Sequence, residues 1–380
     1  MNDSSLFVVC RHHPEATEWD SENEPILDPN SIRNDQLDEF NHPRYRRVMI
    51  LEEIYKRSKY RNVNFDCPLE PAANLDLYQK IHSNRLNSWK RWDELGADGQ
   101  DPMCNGGGGD NNISPALIPG NVPLPRDPYQ RPSQNVMGQM GFYCTDDCTP
   151  IFSTLVEELL WDAAVLERAV DLLERSRVIY ALGTHPGHHT AKDSFGGYCY
   201  LNHAAMAARL LQQRKLYSKV AILDVDYHCG NGTASIFYED PSVLMISIHC
   251  HPDFEYPFHS GFHDEIGFGE GKDTTLHLPL MPGTTWQTYR DDLQTALDRI
   301  QSFGAEALVV SLGLDTYRGD PCAIRRAGFL LQDKDYISMG KMISTTGLPI
   351  LVVQEGGYKM DSVPQAAADV LFGLTNTMSE

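Results

Sequence analysis

The sequence has 380 residues, 41% of them hydrophobic and 22% charged, which is enough apolar material for one large core and excludes a disordered chain. A formal net charge of −20 opposes binding to phosphate backbones and leaves two roles for the charge, solubility or attraction of a cationic partner. No apolar run approaches the roughly 20 residues of a membrane-spanning helix, Met1 to Ser5 lacks a basic stretch followed by an apolar one, and nine cysteines without a CxxC pair oppose a disulfide framework or zinc finger; a cytoplasmic protein is expected.

In chain order, helical spacing of apolar residues predicts a helix over 44–57 and another over 86–95. Residues 96–135, with the run Cys104-Asn105-Gly106-Gly107-Gly108-Gly109-Asp110 and the prolines up to Pro132, cannot hold regular structure. They are expected to form a Gly/Pro-rich insertion, either a rim or subunit-contact element or a solvated loop. A homodimer through the N-terminal region and this loop would follow from the first reading. Beyond it, Leu155 to Arg175 reads as an amphipathic helix. Apolar, β-branched runs at 178–182, 220–225, 243–248, 307–312 and 350–353 read as buried strands, with helices over 203–214, 286–303 and 333–346. This alternation predicts an α/β fold, a single domain over 1–380 with a mostly parallel sheet flanked by helices. Ligands in such sheets sit at the carboxyl ends of the strands.

Chemistry-bearing residues fall at those ends. After 220–223 comes Asp224-Val225-Asp226-Tyr227-His228, where alternation along an extended segment would put Asp224, Asp226 and His228 on one side. After 307–312 comes Gly313-Leu314-Asp315, so two carboxylates and an imidazole from two strand ends could hold a metal and leave a position open, as catalytic zinc sites do. Gly183-Thr184-His185-Pro186-Gly187-His188-His189 follows another strand, and Gln354-Glu355-Gly356-Gly357-Tyr358 follows the last. Singly, each has a plain structural reading: a capped strand end, a core histidine pair, a tyrosine packed on a turn. Four at successive strand ends point to one site.

The stretches Pro186-Gly187-His188-His189, Gly196 to Asn202, Asp224 to Thr233, Gly313-Leu314-Asp315 and Glu355 to Tyr358 resemble the ordered motifs of the zinc-dependent histone deacetylase and acetylpolyamine amidohydrolase family, over about residues 137–374. Gly138 to Cys144, Phe303 to Ala307 and Asn231 are similar to the bacterial acetylpolyamine amidohydrolases. The resemblance implies the arginase/deacetylase fold and one Zn²⁺ held by Asp226, His228 and Asp315. It implies His189 as general base and later acid, His188 oriented by Asp224, Asn231 supporting His189, and Tyr358 as donor to the oxyanion. It also implies a structural potassium ion at Asp224, Asp226, His228, Ser247 and Ile248, a second near Phe237, Asp240 and Val243, and a narrow tunnel lined by Gly197, Tyr198, Tyr256 and Phe258. The aromatic residues have an alternative reading as core. The implied reaction is removal of the acyl group from a small acetylated amine, with protein acetyl-lysine as the alternative substrate.

Departures from the resemblance concern the substrate. Met137 and Cys148 stand where polyamine-binding carboxylates are expected; Asp146 and Asp147 could replace them, and Arg325 and Arg326 would repel a polycation if they face the mouth. His185 replaces a Pro or Arg, and Cys229 follows His228 where a second His is common. Two-metal ureohydrolysis is disfavoured because Gly230 and Tyr317 occupy positions that would need carboxylates. A catalytically silent binding module is the other competitor, disfavoured by the joint presence of His189, Tyr358 and the three donors.

Overall fold

The computed structural model describes residues 5–14, 42–59, 61–82, 129–132, 136–152, 154–323 and 327–375. The helix expected over 86–95, the insertion over 96–135 apart from 129–132, and Arg325 and Arg326 lie outside the described residues, as does the side chain of Met137.

Strands β1 (Leu6–Cys10), β2 (Val63–Asp66), β3 (Val178–Leu182), β4 (Val220–Asp224), β5 (Val243–Cys250), β6 (Thr275–Leu280), β7 (Ala307–Leu312) and β8 (Ile350–Gln354) form one sheet in the order β2-β1-β3-β8-β7-β4-β5-β6. Every neighbouring pair is parallel. The helices are α1 (His42–Ser58), α2 (Val136–Tyr143), α3 (Leu155–Leu172), α4 (His203–Gln213), α5 (Asn231–Phe237), α6 (Trp286–Phe303), α7 (Asp333–Ser344) and α8 (Val363–Thr375).

The central strands β3, β4, β7 and β8 are buried along their whole length and almost entirely apolar because both faces are covered. Side chains alternate between two cores: Ile179, Ala181, Ile222 and Val309 join α3 and α4 on one face, while Tyr180, Leu182, Leu223 and Val310 join α1, α6, α7 and α8 on the other. Six elements were not among the predicted ones: β1, β2, β6, α2, α5 and α8. One correction bears on the site. Strand β4 ends at Asp224, so alternation along a strand is not what aligns Asp226 and His228. Backbone N–H groups do it instead: that of Asp226 donates to Asp224 Oδ1 at 3.0 Å and that of His228 to Asp226 Oδ1 at 2.9 Å.

Candidate active site

Segments following β3, β4, β7 and β8 meet at the carboxyl end of the sheet. His228 Nδ1 lies 2.9 Å from Asp315 Oδ2 and 3.3 Å from Asp226 Oδ1, and one donor atom from each residue falls within 4.8 Å of the others. The far oxygens are tied down: Asp226 Oδ2 accepts from the Gly356 N–H at 2.9 Å and Asp315 Oδ1 from that of Tyr227 at 2.9 Å. A Cβ on Gly313 would stand 2.0 Å from Asp226 Oδ2, and one on Gly356 2.6 Å from it, so glycine at both positions is what lets the carboxylates sit here. Asp226 and Asp315 are 1% and 0% exposed, an arrangement that needs a positive charge in its midst. Burial raises the Asp315 carboxyl to about 7, with Asp226 adding to the rise. Burial opposes charge on His228 too, but Asp226 and Asp315 outweigh it and hold the ring protonated well above its usual range. Two carboxylates and one imidazole facing one point fit a divalent ion such as zinc, which would replace that proton.

The adjacent histidines are held in opposite states. Burial works against charge on His188, yet Asp224 and Asp226 raise it to about 10; its Nδ1–H donates to Asp224 Oδ2 at 2.9 Å. Burial keeps His189 neutral, its pKa pushed well down, and the positive charges on His188 and His228 push the same way. Its Nδ1 is 2.8 Å from Asn231 Oδ1. The carbonyl oxygen there accepts a hydrogen bond from Nδ1–H, leaving Nε2 as a free base. The two rings lie 4.0 Å apart, and Tyr256 packs edge-on against His189 at 4.8 Å.

Tyr198 holds φ +63° next to Gly197 at φ +58°, and its ring is 6.1 Å from that of Tyr358. The turn is strained for a tyrosine, and a Cβ on Gly197 would be 2.3 Å from His189 Cδ2, so glycine is required for the approach. Tyr358 is partly exposed; burial raises its phenol well above the ordinary value and keeps it protonated. Phe258 is 60% exposed.

Three residues that fix the site were not singled out from sequence. Glu355, fully buried, accepts from the Gly187 N–H at 2.6 Å, the His188 N–H at 3.2 Å and Ser311 Oγ at 3.0 Å, which anchors the histidine turn; burial raises its pKa to about 7. Asp320 accepts from the backbone N–H of Tyr358 at 2.7 Å and of Lys359 at 2.9 Å, and Arg46 stacks its guanidinium 5.6 Å from the Tyr358 ring. The signal for Glu355 was its place at the head of the Glu355-Gly356-Gly357-Tyr358 stretch; Arg46 and Asp320 carried none.

Asp146 is buried and accepts from the N–H groups of Cys148, Thr149 and Gly197 and from Thr149 Oγ, so its carboxylate holds the Gly197–Tyr198 turn. Asp147 and Cys148 are exposed. His185 pairs with Glu158 at 2.8 Å, and Arg44 pairs with the same carboxylate. Asp224 and Ser247 are register partners on β4 and β5, with Ile248 next to Ser247. The Asp240 carboxylate is taken by Arg209 and Ser242, and Arg209 lies 4.7 Å over the Phe237 ring; Asp240 and Ser242 precede β5, which starts at Val243.

The family model "Histone deacetylase domain" matches residues 40–374. The chain is 36% identical over 321 residues to the acetylpolyamine amidohydrolase of Mycoplana ramosa, covering 83% of this chain and 88% of that protein. It is 42% identical over 246 residues to acetylpolyamine amidohydrolase 2 of Pseudomonas aeruginosa, covering 64% and 70%. Among solved structures, the acetylpolyamine aminohydrolase from Burkholderia pseudomallei superposes with a TM-score of 0.76 at 27% identity, covering 87% of this chain and 90% of that one. With site geometry, family model and relatives in agreement along most of its length, the chain belongs to the histone deacetylase family.

Proposed function

We propose that the protein removes the acetyl group from a small acetylated amine. The observation that carries this reading is the convergence of the Asp226, His228, Asp315 donor set with His188 paired to Asp224 and His189 paired to Asn231. The family is zinc-dependent, and zinc held by those three residues supplies Lewis acidity toward the amide carbonyl and water. His189 Nε2 takes a proton from the attacking water and returns it to the amine nitrogen as the C–N bond breaks. Asn231 fixes the tautomer that makes this possible, and Asp224 keeps His188 charged and oriented. Tyr358, protonated, donates a hydrogen bond to the oxygen on which negative charge develops. Gly197, Tyr198 and Tyr256 form the walls around His189, with Phe258 farther out. A structural potassium ion at Asp224, Asp226, His228, Ser247 and Ile248 belongs to the same reading, supported by the register of Asp224 and Ser247. A second one near Phe237, Asp240 and Val243 would rely on backbone carbonyls, since Arg209 neutralises the Asp240 side chain.

The relatives named above are acetylpolyamine amidohydrolases, and we extend that substrate class to this chain with weaker selectivity. Cys148 brings no charge, and Asp146 is engaged within the fold. The test compares kcat/KM for N-acetylputrescine, N8-acetylspermidine, an acetyl-lysine peptide and a neutral N-alkylacetamide at low and high salt. Turnover of the small amines, abolished by a chelator and restored by zinc, with only modest salt-sensitive preference for the polyamines, is expected. No turnover of any of them by the zinc-loaded protein refutes the reading, and turnover confined to the peptide refutes the substrate class.

A further inference from the structure

A second cluster of donors lies behind the catalytic set. Cys229 directly follows His228 in the turn between β4 and α5, His249 is on β5, and His277 is on the edge strand β6. Ser247 is the register partner of His277. Residues two apart on a strand share a face, so Ser247, His249 and His277 line one surface, and Cys229 closes over it. Cys229 Sγ is 3.7 Å from His277 Nδ1, and one donor atom from each of the three residues lies within 4.8 Å of the others. All three are buried, at 0%, 0% and 1% exposure for Cys229, His249 and His277. A Cβ on Gly261 would stand 2.6 Å from His249 Nε2 and 2.9 Å from Cys229 Sγ, so backbone packs directly against the cluster.

The other nitrogen of His277 faces away from the thiol. His277 Nε2 is buried without a hydrogen-bond partner, and its nearest carboxylate oxygen, Glu265 Oε2, is 3.9 Å away. Buried polar atoms rarely go unpartnered. The arrangement orients the ring as a ligand would be: Nδ1 toward the thiol, Nε2 toward a carboxylate that the Gly261 and Phe262 N–H groups and Ser260 Oγ hold in place.

We propose that Cys229, His249 and His277 form a second metal site, a thiolate and two imidazoles suited to a zinc-class ion. Zinc with ordinary Zn–S and Zn–N bonds sets a sulfur and a nitrogen about 3.5 Å apart in a tetrahedron, close to the spacing present here. Binding releases the thiol proton, Cys–SH and M²⁺ giving Cys–S–M⁺ and H⁺. His249 exchanges one of its present partners, Ser247 Oγ at 2.8 Å or the Gly261 carbonyl at 2.9 Å, for the ion. The ion is structural: it fastens the edge strand to the turn that carries His228. The site stands independently of the reaction proposed above.

The test uses the metal-depleted full-length chain titrated with Co²⁺. The catalytic set contains no sulfur, so a thiolate-to-cobalt charge-transfer band in the near ultraviolet reports on binding outside it, and loss of that band in Cys229→Ser assigns it to the second site. Uptake of a second equivalent with that band is expected. Cys229→Ser should lose the band and one equivalent while keeping the cobalt spectrum of the catalytic set, and His277→Asn should weaken the second equivalent at least tenfold. Retained catalytic-set cobalt and unchanged far-ultraviolet circular dichroism show that each variant is folded. Uptake of a single equivalent without the band by the wild-type chain, or a band that survives in Cys229→Ser, overturns the proposal.

Discussion

Replacing Tyr358 by Phe removes one hydroxyl from a ring that other groups hold in position. Its backbone N–H is bound by Asp320 at 2.7 Å, the Arg46 guanidinium stacks at 5.6 Å, and Tyr198 packs at 6.1 Å; none of these contacts involves the hydroxyl. Among the described residues no hydrogen bond joins the Tyr358 hydroxyl to another protein group, so the variant strands no partner. Its stability should change by no more than about 0.5 kcal/mol, a shift of about 2 °C or less in Tm. The catalytic cost is of a different size. One oxyanion donor contributes about 3–4 kcal/mol, or about a hundredfold to a thousandfold in kcat. The assay is steady-state hydrolysis of an acetylated diamine by zinc-loaded wild type and variant, with thermal unfolding of the same samples. A kcat within about threefold of wild type at unchanged Tm would remove Tyr358 from the oxyanion role. A large loss of Tm would instead show that the hydroxyl has a structural partner.

Asp146→Asn keeps one acceptor oxygen and strands the donors now bound to the other, the Gly197 N–H and Thr149 Oγ, at about 1–3 kcal/mol each. Thermal unfolding should show the loss, and KM should rise more than kcat falls because the Gly197–Tyr198 turn moves; unchanged Tm with a weakened salt dependence of kcat/KM would instead make Asp146 a substrate anchor. His82 and His203 are buried and neutral, their pKa values depressed by burial to about 4 from an unfolded value of about 6.5. The unfolded chain therefore binds more protons between these values, so this stability is full above about pH 6.5 and is lost as pH falls toward 4, by up to about 3 kcal/mol per group. Unfolding free energies measured by denaturant titration from pH 8 to 4 should fall over that window, and a flat profile would show the rings charging within the fold.

The central strands were readable because burial on both faces leaves only apolar residues to choose from, as in Val220 to Leu223 and Ala307 to Val310. Edge and terminal elements follow other rules. Strand β6, Thr-Leu-His-Leu-Pro-Leu, carries a proline that an edge strand tolerates and that reads as a breaker. Helix α5 begins Asn231-Gly232, which reads as a turn. Helix α8 hides behind Pro364 in its first turn and Gly373, where a Cβ would meet the Gly340 Cα of α7 at 2.9 Å. Within the site, residues that follow a strand end were legible by position. Arg46, Asp146 and Asp320 come from loops and a distant helix, and only the folded chain brings them to the turns they secure.

The strand order has a consequence for how this molecule comes into being. β8, at residues 350–354, lies between β3 and β7, and it alone joins the β2-β1-β3 group to the β7-β4-β5-β6 group. A growing chain can pair β1 with β3, and β4 with β5, long before the strand that unites them has been made. Until then the turn bearing His188 and His189 and the donors Asp226, His228 and Asp315 belong to separate halves, each with an open sheet edge that invites other chains. β8 also brings Glu355 and Tyr358 with it. Joining the halves and completing the chemistry are therefore one late event in synthesis, and a chain cut short before residue 350 has neither.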